Sequence, residues 1–402
     1  MTGTPAEDET SIELRKLVRD WGVKKIRPHF RALETKGEFP REIYREMGDL
    51  GFFGAAFPEE HGGSGGGYRE LVAVAEELAW VYPPLSAAMN LQAATVPLTI
   101  ANWGSPEIVE EFVGDLISGV KLGCNAMTEP DGGSDFLGAM RTRAVLDGDD
   151  YVLNGAKMWI TNANVADVAI VYAKTDRDAG HKGVTAFVVP TNTPGFVVTR
   201  VPCRVLGSLM PTNSITLDDV RINKKYVLGE EGQGFIVAMN AMDFGRLSVA
   251  ARQVGLAQAC LDASLEYANT REAFGEKIGS FQMVKKQIAE MTCDVEAARA
   301  LVWNAAVKAD SGEPSTRESS IAKYFSAEVG NRAAQAAAEI FGGFAFSDEL
   351  PISIYLNYAK LWQTGEGSAN IQRILIADDA LGWKKMDRHA GKTARARRVQ
   401  QS

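Results

Sequence analysis

Apolar positions recur along this chain with two different periods, and the period changes twice. Between residues 9 and 120, Ile12–Val18, Ile43–Leu50 and Leu71–Ala79 place apolar side chains three or four apart, the spacing of amphipathic helices. From 121 to 230 short β-rich runs take over: Tyr151–Gly155, Val168–Tyr172, Gly183–Val189 and Ile215–Val220. Prolines 190, 194, 202 and 211 and glycines 132, 133, 155, 183 and 195 separate these runs, which predicts a sheet with antiparallel returns. After Gly232 the helical period returns. One stripe runs Val284, Ile288, Met291, Val295, Ala298, Val302, Ala305; a second Ile321, Phe325, Val329, Ala333, Ala336, Ile340; a third Ala257, Leu261, Leu265, Ala268. Stripes of this kind are core packing, and several in succession predict a bundle. Their alanines permit close helix approach, within the chain or against another subunit. The boundaries read as 1–120 helical, 121–231 β, and 232–402 helical bundle.

Composition narrows the function. A chain of 402 residues that is 46% hydrophobic can bury a sizeable core. Its net charge of −8 argues against a nucleic-acid binder, and the basic run Lys392–Arg398 reads as a solvated tail. Cys124, Cys203, Cys260 and Cys293 are scattered and form no CxxC, so no zinc site or disulfide framework is expected. The four histidines at 29, 61, 181 and 389 are equally dispersed, and no metal is expected. No apolar run reaches spanning length and the N-terminus lacks a signal-peptide pattern, which predicts a cytoplasmic protein with no membrane partner. The glycine run His61–Gly67 lacks the Lys-Ser/Thr ending of a phosphate-binding loop and reads as a helix-to-helix connection.

Three segments carry candidate chemistry. Gly365–Glu366–Gly367 sets an acid between two glycines, a way to present a general base on a tight turn, although such a triplet alone also fits an exposed loop. In Ala126–Asp135 (AMTEPDGGSD), small residues beside hydroxyls let backbone approach a flat or phosphorylated ligand. In Lys157–Asn162 (KMWITN), an indole sits beside a Thr hydroxyl, a pairing that can cover an aromatic ring and bond its nitrogen. Singly, the last two fit a loop and a core Trp.

Together these segments resemble the acyl-CoA dehydrogenase family of flavoenzymes, from FPREIYREMGDLGFFGAAFPEEHGG (39–63) to GSANIQRILIA (367–377). The resemblance implies an α+β fold: an N-terminal helical domain, a central barrel-like β-sheet domain and a C-terminal four-helix bundle. It implies FAD as cofactor and an acyl-CoA substrate. It also implies electron-transfer flavoprotein as acceptor and a homo-oligomer, tetramer or dimer. Met127 and Thr128 would meet the flavin pyrimidine edge, with Trp159 and Thr161 against the isoalloxazine. Arg271 and Phe274, in REAFG, match an RxxFG element that holds the FAD pyrophosphate of a neighbouring subunit, joined by Gln282. An Arg fork suits phosphate oxygens in any family. Gly342 and Gly343 would pass the adenosine end, Glu339 stands where Gln usually meets adenine, and Ser368 and Asn370 fall at FAD contacts. Ser134 would touch the CoA arm, while Asp243 and Arg246 bind the thioester arm and support the catalytic carboxylate.

Glu366 falls on the family's catalytic base, which takes the weakly acidic proton next to the thioester carbonyl while the β-hydride leaves to the flavin. Burial against flavin and acyl chain is expected to raise its pKa. In some members the base stands before the arginine of the MDFGR element; here that residue is Gly245, so Glu366 is the sole candidate. Several positions depart from the family: Ala345 for a third glycine, Ile354 for a basic residue, Tyr358 for an acidic one, and a shortened loop at 206–214 without its Arg. Ser86 stands where glutaryl-CoA enzymes carry an Arg, and Gly365 where a tyrosine usually precedes the base. The missing phenol predicts room for a bulky acyl group, branched, alicyclic or aryl. An enoyl-CoA reductase or a flavin oxidase on the same fold, and a non-catalytic acyl-CoA or FAD scaffold, are the competing readings.

Overall fold

Asp8 opens the first helix by accepting the Ser11 N–H at 2.9 Å, and Ser368 opens the last by accepting from Ile371 N–H. Both are N-caps of the type that short polar side chains favour. A computed structural model describes residues 7–35, 37–203, 209–384 and 386. The tail at 392–398 and the first part of the 206–214 loop lie outside the described residues. The chain divides into two compact units.

The first unit takes residues up to Thr35, Tyr68–Ser86 and Arg246–Arg388. Its main helices are α1 (Glu9–Lys25), α2 (Tyr68–Val81), α3 (Gly234–Thr270, from Arg246 onward), α4 (Gln282–Asp310), α5 (Thr316–Phe341), α6 (Ile352–Thr364) and α7 (Ala369–Ala380). Helix α2 is buried almost all round and packs against α1 and α4. Three of its carboxylates are buried as well, and Glu70 accepts from the Ser11 hydroxyl. Glu76 accepts from Arg15 and Arg299, and Glu77 from Arg15 and Arg19, so each charge entering the core has a partner. Burial works against ionisation of Glu76, but the two guanidiniums outweigh it and hold its carboxyl low.

The expected stripe on α4 is buried from Met291 through Val295, Ala298, Val302 and Ala305, with Val284 and Ile288 half-buried. On α5 the expected stripe is buried at Val329, Ala333 and Ile340, but the rest of the buried face is rotated from it. Ala322, Ser326, Val329, Gly330, Ala333 and Ala337 point inward, while Ile321, Phe325 and Ala336 lie half-buried on the flank. The physical reason is close helix packing against α4 and α6, which favours the narrow small-residue face. Lys323 is carried inward on that face.

The second unit takes residues 37–67 and Ala87–Gly245 among those described. Its sheet contains β1 (Gly123–Ala126), β2 (Arg143–Asp147), β3 (Asp150–Thr161), β4 (Val168–Lys174), β5 (Val184–Pro190), β6 (Phe196–Arg200), β7 (Thr212–Asn223) and β8 (Val227–Leu228). Strand order is β6-β7-β3-β2-β4-β5-β8, with β1 added in parallel to β4. Cys124, Leu153, Val171, Phe187, Ile215 and Val220 fill the core between its layers. The expected barrel-like sheet is present but does not close: among the described residues the edge strands β6 and β8 do not pair. Closure needs a continuous hydrogen-bonded ring, but β8 has only two residues and β2 meets β4 at the single pair Arg143↔Lys174. No helix of the described residues is long and apolar enough to cross a membrane.

Candidate active site

In the β unit, the loop after β1 is fastened to β3 by one buried ion pair. Lys157 Nζ donates to Glu129 Oε1 at 2.8 Å, to Tyr172 O at 2.7 Å and to Met127 O at 3.4 Å. Glu129 also accepts the backbone N–H groups of Arg141 and Thr142. Burial opposes ionisation of Glu129, yet the ammonium and these donors more than offset it and keep the carboxyl low. Burial likewise pulls the Lys157 ammonium down, with Glu129 resisting. Met158 N–H then donates to Thr128 O at 2.9 Å, which fixes Met127 and Thr128 beside the strand.

Beyond Lys157 the strand breaks register. The β3–β7 pairing shifts between Lys157 and Ile160, so Met158 and Trp159 have no cross-strand partner. Bulges of this kind re-aim side chains. Trp159 takes φ 63° and leaves its indole 55% exposed, an open apolar face on a rigid support. Thr161, two residues on, is half-buried. Ser134 is exposed on the same loop, ahead of Asp135, which caps the short helix Phe136–Ala139.

In the helical unit, α6 ends at Gly365 and Glu366 follows with φ 53°. The expectation that both flanking glycines supply unusual angles is half right. Gly367 has φ 75°, but Gly365 is extended at φ −74°, ψ 161°, and the left-handed strain falls on Glu366 itself. A non-glycine residue held there is a mark of a functional constraint. The turn is gripped from below: Lys323 Nζ donates to Gly367 O at 2.7 Å and Gln363 O at 3.3 Å, and Gln372 Nε2 donates to Gly367 O at 3.1 Å. Burial lowers Lys323 to about 8, with Glu366 pulling it up and Arg246 pushing it down. Arg246 is buried on α3, and its charge and that of Glu366 both act on Lys323. Sequence reasoning named the first two and missed Lys323.

The remaining candidates on the helices and their connections lie elsewhere. Arg271 precedes the hairpin Glu272–Ala273/Glu276–Lys277, whose Phe274 is 97% exposed at φ 54°. The Arg271 guanidinium lies 6.0 Å from the Phe344 ring, and Tyr267 stacks on Phe341 at 4.3 Å. Arg271 is thereby brought to the Gly342–Gly343 turn, where an added Cβ would meet nothing within 4 Å. Gln282 is exposed, and Glu339 is occupied with Gln287. Ser368 caps α7, while Asn370 accepts from Arg373 at 2.8 Å. Asp243 is half-buried three residues before Arg246 on the same helix. Of the departing residues, Ala345 and Tyr358 are buried, the latter edge-on to Trp362. Ser86 is buried too, with its hydroxyl on Pro83 O at 2.7 Å.

Residues 8–120, 124–220 and 232–381 match, in turn, the N-terminal, middle and C-terminal domains described for acyl-CoA dehydrogenases. A glutaryl-CoA dehydrogenase of Desulfococcus multivorans is 41% identical over 381 residues, 93% of this chain and 97% of that protein. The chain belongs to the acyl-CoA dehydrogenase family. A second family relative, a 3-(aryl)acrylate reductase of Clostridium sporogenes, is 36% identical over 92% of this chain and 97% of its own. The solved structure of a glutaryl-coenzyme A dehydrogenase–glutaryl-CoA complex superposes with a TM-score of 0.92 at 38% identity, covering 96% of this chain and 98% of that one. The fold is therefore that of the acyl-CoA dehydrogenase family, without a closed barrel.

Proposed function

We propose that this enzyme, an FAD-dependent acyl-CoA dehydrogenase, uses Glu366 as its base on an acyl group that is bulky near the reacting carbons. The residues present fit FAD. A half-exposed indole stands on a bulge two residues before Thr161, and a guanidinium adjoins an unobstructed glycine turn. Trp159 and Thr161 would hold the isoalloxazine with Met127 and Thr128 at its edge. Arg271, Phe274, Gln282, Glu339, Gly342, Gly343, Ser368 and Asn370 would hold the rest. When bound, FAD supplies the hydride acceptor. The chain's own part is to seat the thioester, with Ser134, Asp243 and Arg246 on the CoA arm, and to move the α-proton to a carboxylate oxygen of Glu366. The strained backbone of Glu366, held on a doubly gripped turn, carries this assignment.

Gly365 supports the bulky acyl group. Its φ is open to any residue, and an added Cβ would meet only Leu361 O at 3.8 Å, so the backbone does not require glycine here. Ser86 offers no charge to a distal carboxylate, which disfavours a glutaryl substrate despite the relatives of that name. The aryl-acrylate relative favours a second reading, the same site run in the reductive direction. Electrons would pass to an electron-transfer flavoprotein in the cytoplasm. A homo-oligomer, tetramer or dimer, would cover Phe274 on its exposed hairpin.

Anaerobic flavin bleaching with a CoA-thioester panel (straight C4–C8, branched, alicyclic, aryl and glutaryl) tests the substrate. Branched or aryl thioesters are expected to bleach best, and straight chains winning by a wide margin would refute the idea. Glu366→Gln is expected to lose bleaching by on the order of a thousandfold while keeping FAD and ligand. Undiminished bleaching would remove Glu366 as the base.

A further inference from the structure

We propose that Lys323 is a positioning residue for the base: its ammonium ties the carbonyls on both sides of Glu366 and biases that side chain toward the carboxylate. The inference rests on the reading of Glu366 as base, and it is carried by geometry. Lys323 projects from the small-residue face of α5, among the buried Ala322, Ser326, Ala327 and Gly330 of that helix. Its Nζ reaches Gln363 O, in the last turn of α6, and Gly367 O, one residue past Glu366. Tying 363 to 367 spans the left-handed residue and leaves it little freedom to relax to φ below zero.

The choice of a lysine needs explaining. A buried ammonium is costly to desolvate, and a neutral amide such as Gln372 already donates to Gly367 O. An apolar side chain or a second amide would fill the space without that cost. What a cation adds is charge beside a carboxylate, which favours the ionised form a general base needs before it acts. The surrounding charges are arranged around that pair. Arg246 on α3 adds positive charge, and Glu328 on α5 adds negative charge. Glu328 is itself bound by Arg373 of α7 at 3.0 Å, which blunts it. Lys360 of α6 is occupied with Gln363 Oε1 at 2.6 Å. Lys323 thus stands between the carboxylate of Glu366, which pulls its pKa up, and the guanidinium of Arg246, which pushes it down.

The test uses holoenzyme of the wild type, Lys323→Met, Lys323→Gln and Glu366→Gln. FAD content, the Kd of a non-reactive acyl-CoA thioether and the pH profile of kcat/KM are measured on the best substrate of the panel. For Lys323→Met the expected result is unchanged FAD and thioether binding, with kcat down about tenfold. The acid limb of kcat/KM should move up by about one pH unit. Lys323→Gln, which keeps an N–H donor without the charge, should recover most of kcat and retain the shifted limb. Should Lys323→Met not fold, the limb of Lys323→Gln decides alone. An acid limb at its wild-type position, or a kcat loss that merely tracks lost FAD, overturns the assignment. If that happens while Glu366→Gln is inactive, only the lysine role falls. An active Glu366→Gln brings down the base and the lysine role together.

Discussion

Two buried lysines, one in each unit, hold the two loops to which the chemistry is assigned, and they do so in opposite ways. Lys157 sits under the β1–β2 loop with a carboxylate in direct contact, and Glu129 in turn has backbone donors for its second oxygen. Lys323 sits under the Glu366 turn with its hydrogen bonds on backbone carbonyls, and the nearby carboxylates act on it only through space. A closed ion pair neutralises itself and projects little field, which suits a latch beneath a loop that must hold its shape. An ammonium bound to neutral carbonyls keeps its charge available to the group above. The same residue type thus makes a rigid clasp in one place and a tunable electrostatic neighbour in the other.

The sharpest way to break this comparison is to remove each lysine. Lys157→Met strands Glu129 as an uncompensated buried charge, so it should cost about 3–5 kcal/mol and release flavin. Replacing both partners, Lys157→Met with Glu129→Leu, should recover a large part of that loss, since the pair can give way to apolar residues of similar volume. Urea denaturation of the apoprotein and flavin content measure both. Equal stability of the single and double variants would show that Glu129 does not depend on Lys157.

A smaller effect separates the two lysines by pH. Lys323 titrates near 8 in the fold and near 10.5 when unfolded, so between these values the unfolded chain binds the extra proton. Stability linked to this group is therefore level below pH 8 and rises with pH across the window, by about 3 kcal/mol in full. The difference in unfolding free energy between wild type and Lys323→Met should change in the wild type's favour from pH 7.5 to 9.5. A constant difference would mean that the lysine is not held at a lowered pKa.

The sequence made one of these lysines easier to find than the other. Tyr151, Leu153 and Lys157 share strand parity, and the first two are core, so simple alternation already turned Lys157 inward. On α5 the large apolar residues drew attention to the Ile321–Phe325 line, whereas the packed face is the line of small residues that includes Lys323. Small residues are a weak hydrophobic signal but a strong packing one, and that distinction hid the residue. Local backbone demand shows in local sequence at Gly367, whose φ of 75° favours glycine, but not at Gly365, whose φ any residue adopts. Sheet closure was not legible, because pairing of β6 with β8 depends on two edges far apart in the chain, and the shortness of β8 decides it.

The smallest expected effect on stability comes from Gly365, and it sharpens the contrast between what a turn needs and what a substrate needs. Gly365→Ala adds a methyl where only Leu361 O stands, at 3.8 Å, and at an ordinary φ. Reducing the freedom of the unfolded chain there should stabilise the protein by about 0.4–1 kcal/mol. Gly367→Ala, at φ 75°, has no such freedom and should destabilise by more than that. Function should divide the other way. Gly365→Tyr puts a phenol back beside Glu366 and should lower bleaching by branched or aryl thioesters relative to straight-chain ones, read as a ratio within one preparation. A ratio unchanged by the phenol would leave Gly365 as a helix end and nothing more, and would move the search for the specificity determinant away from this turn.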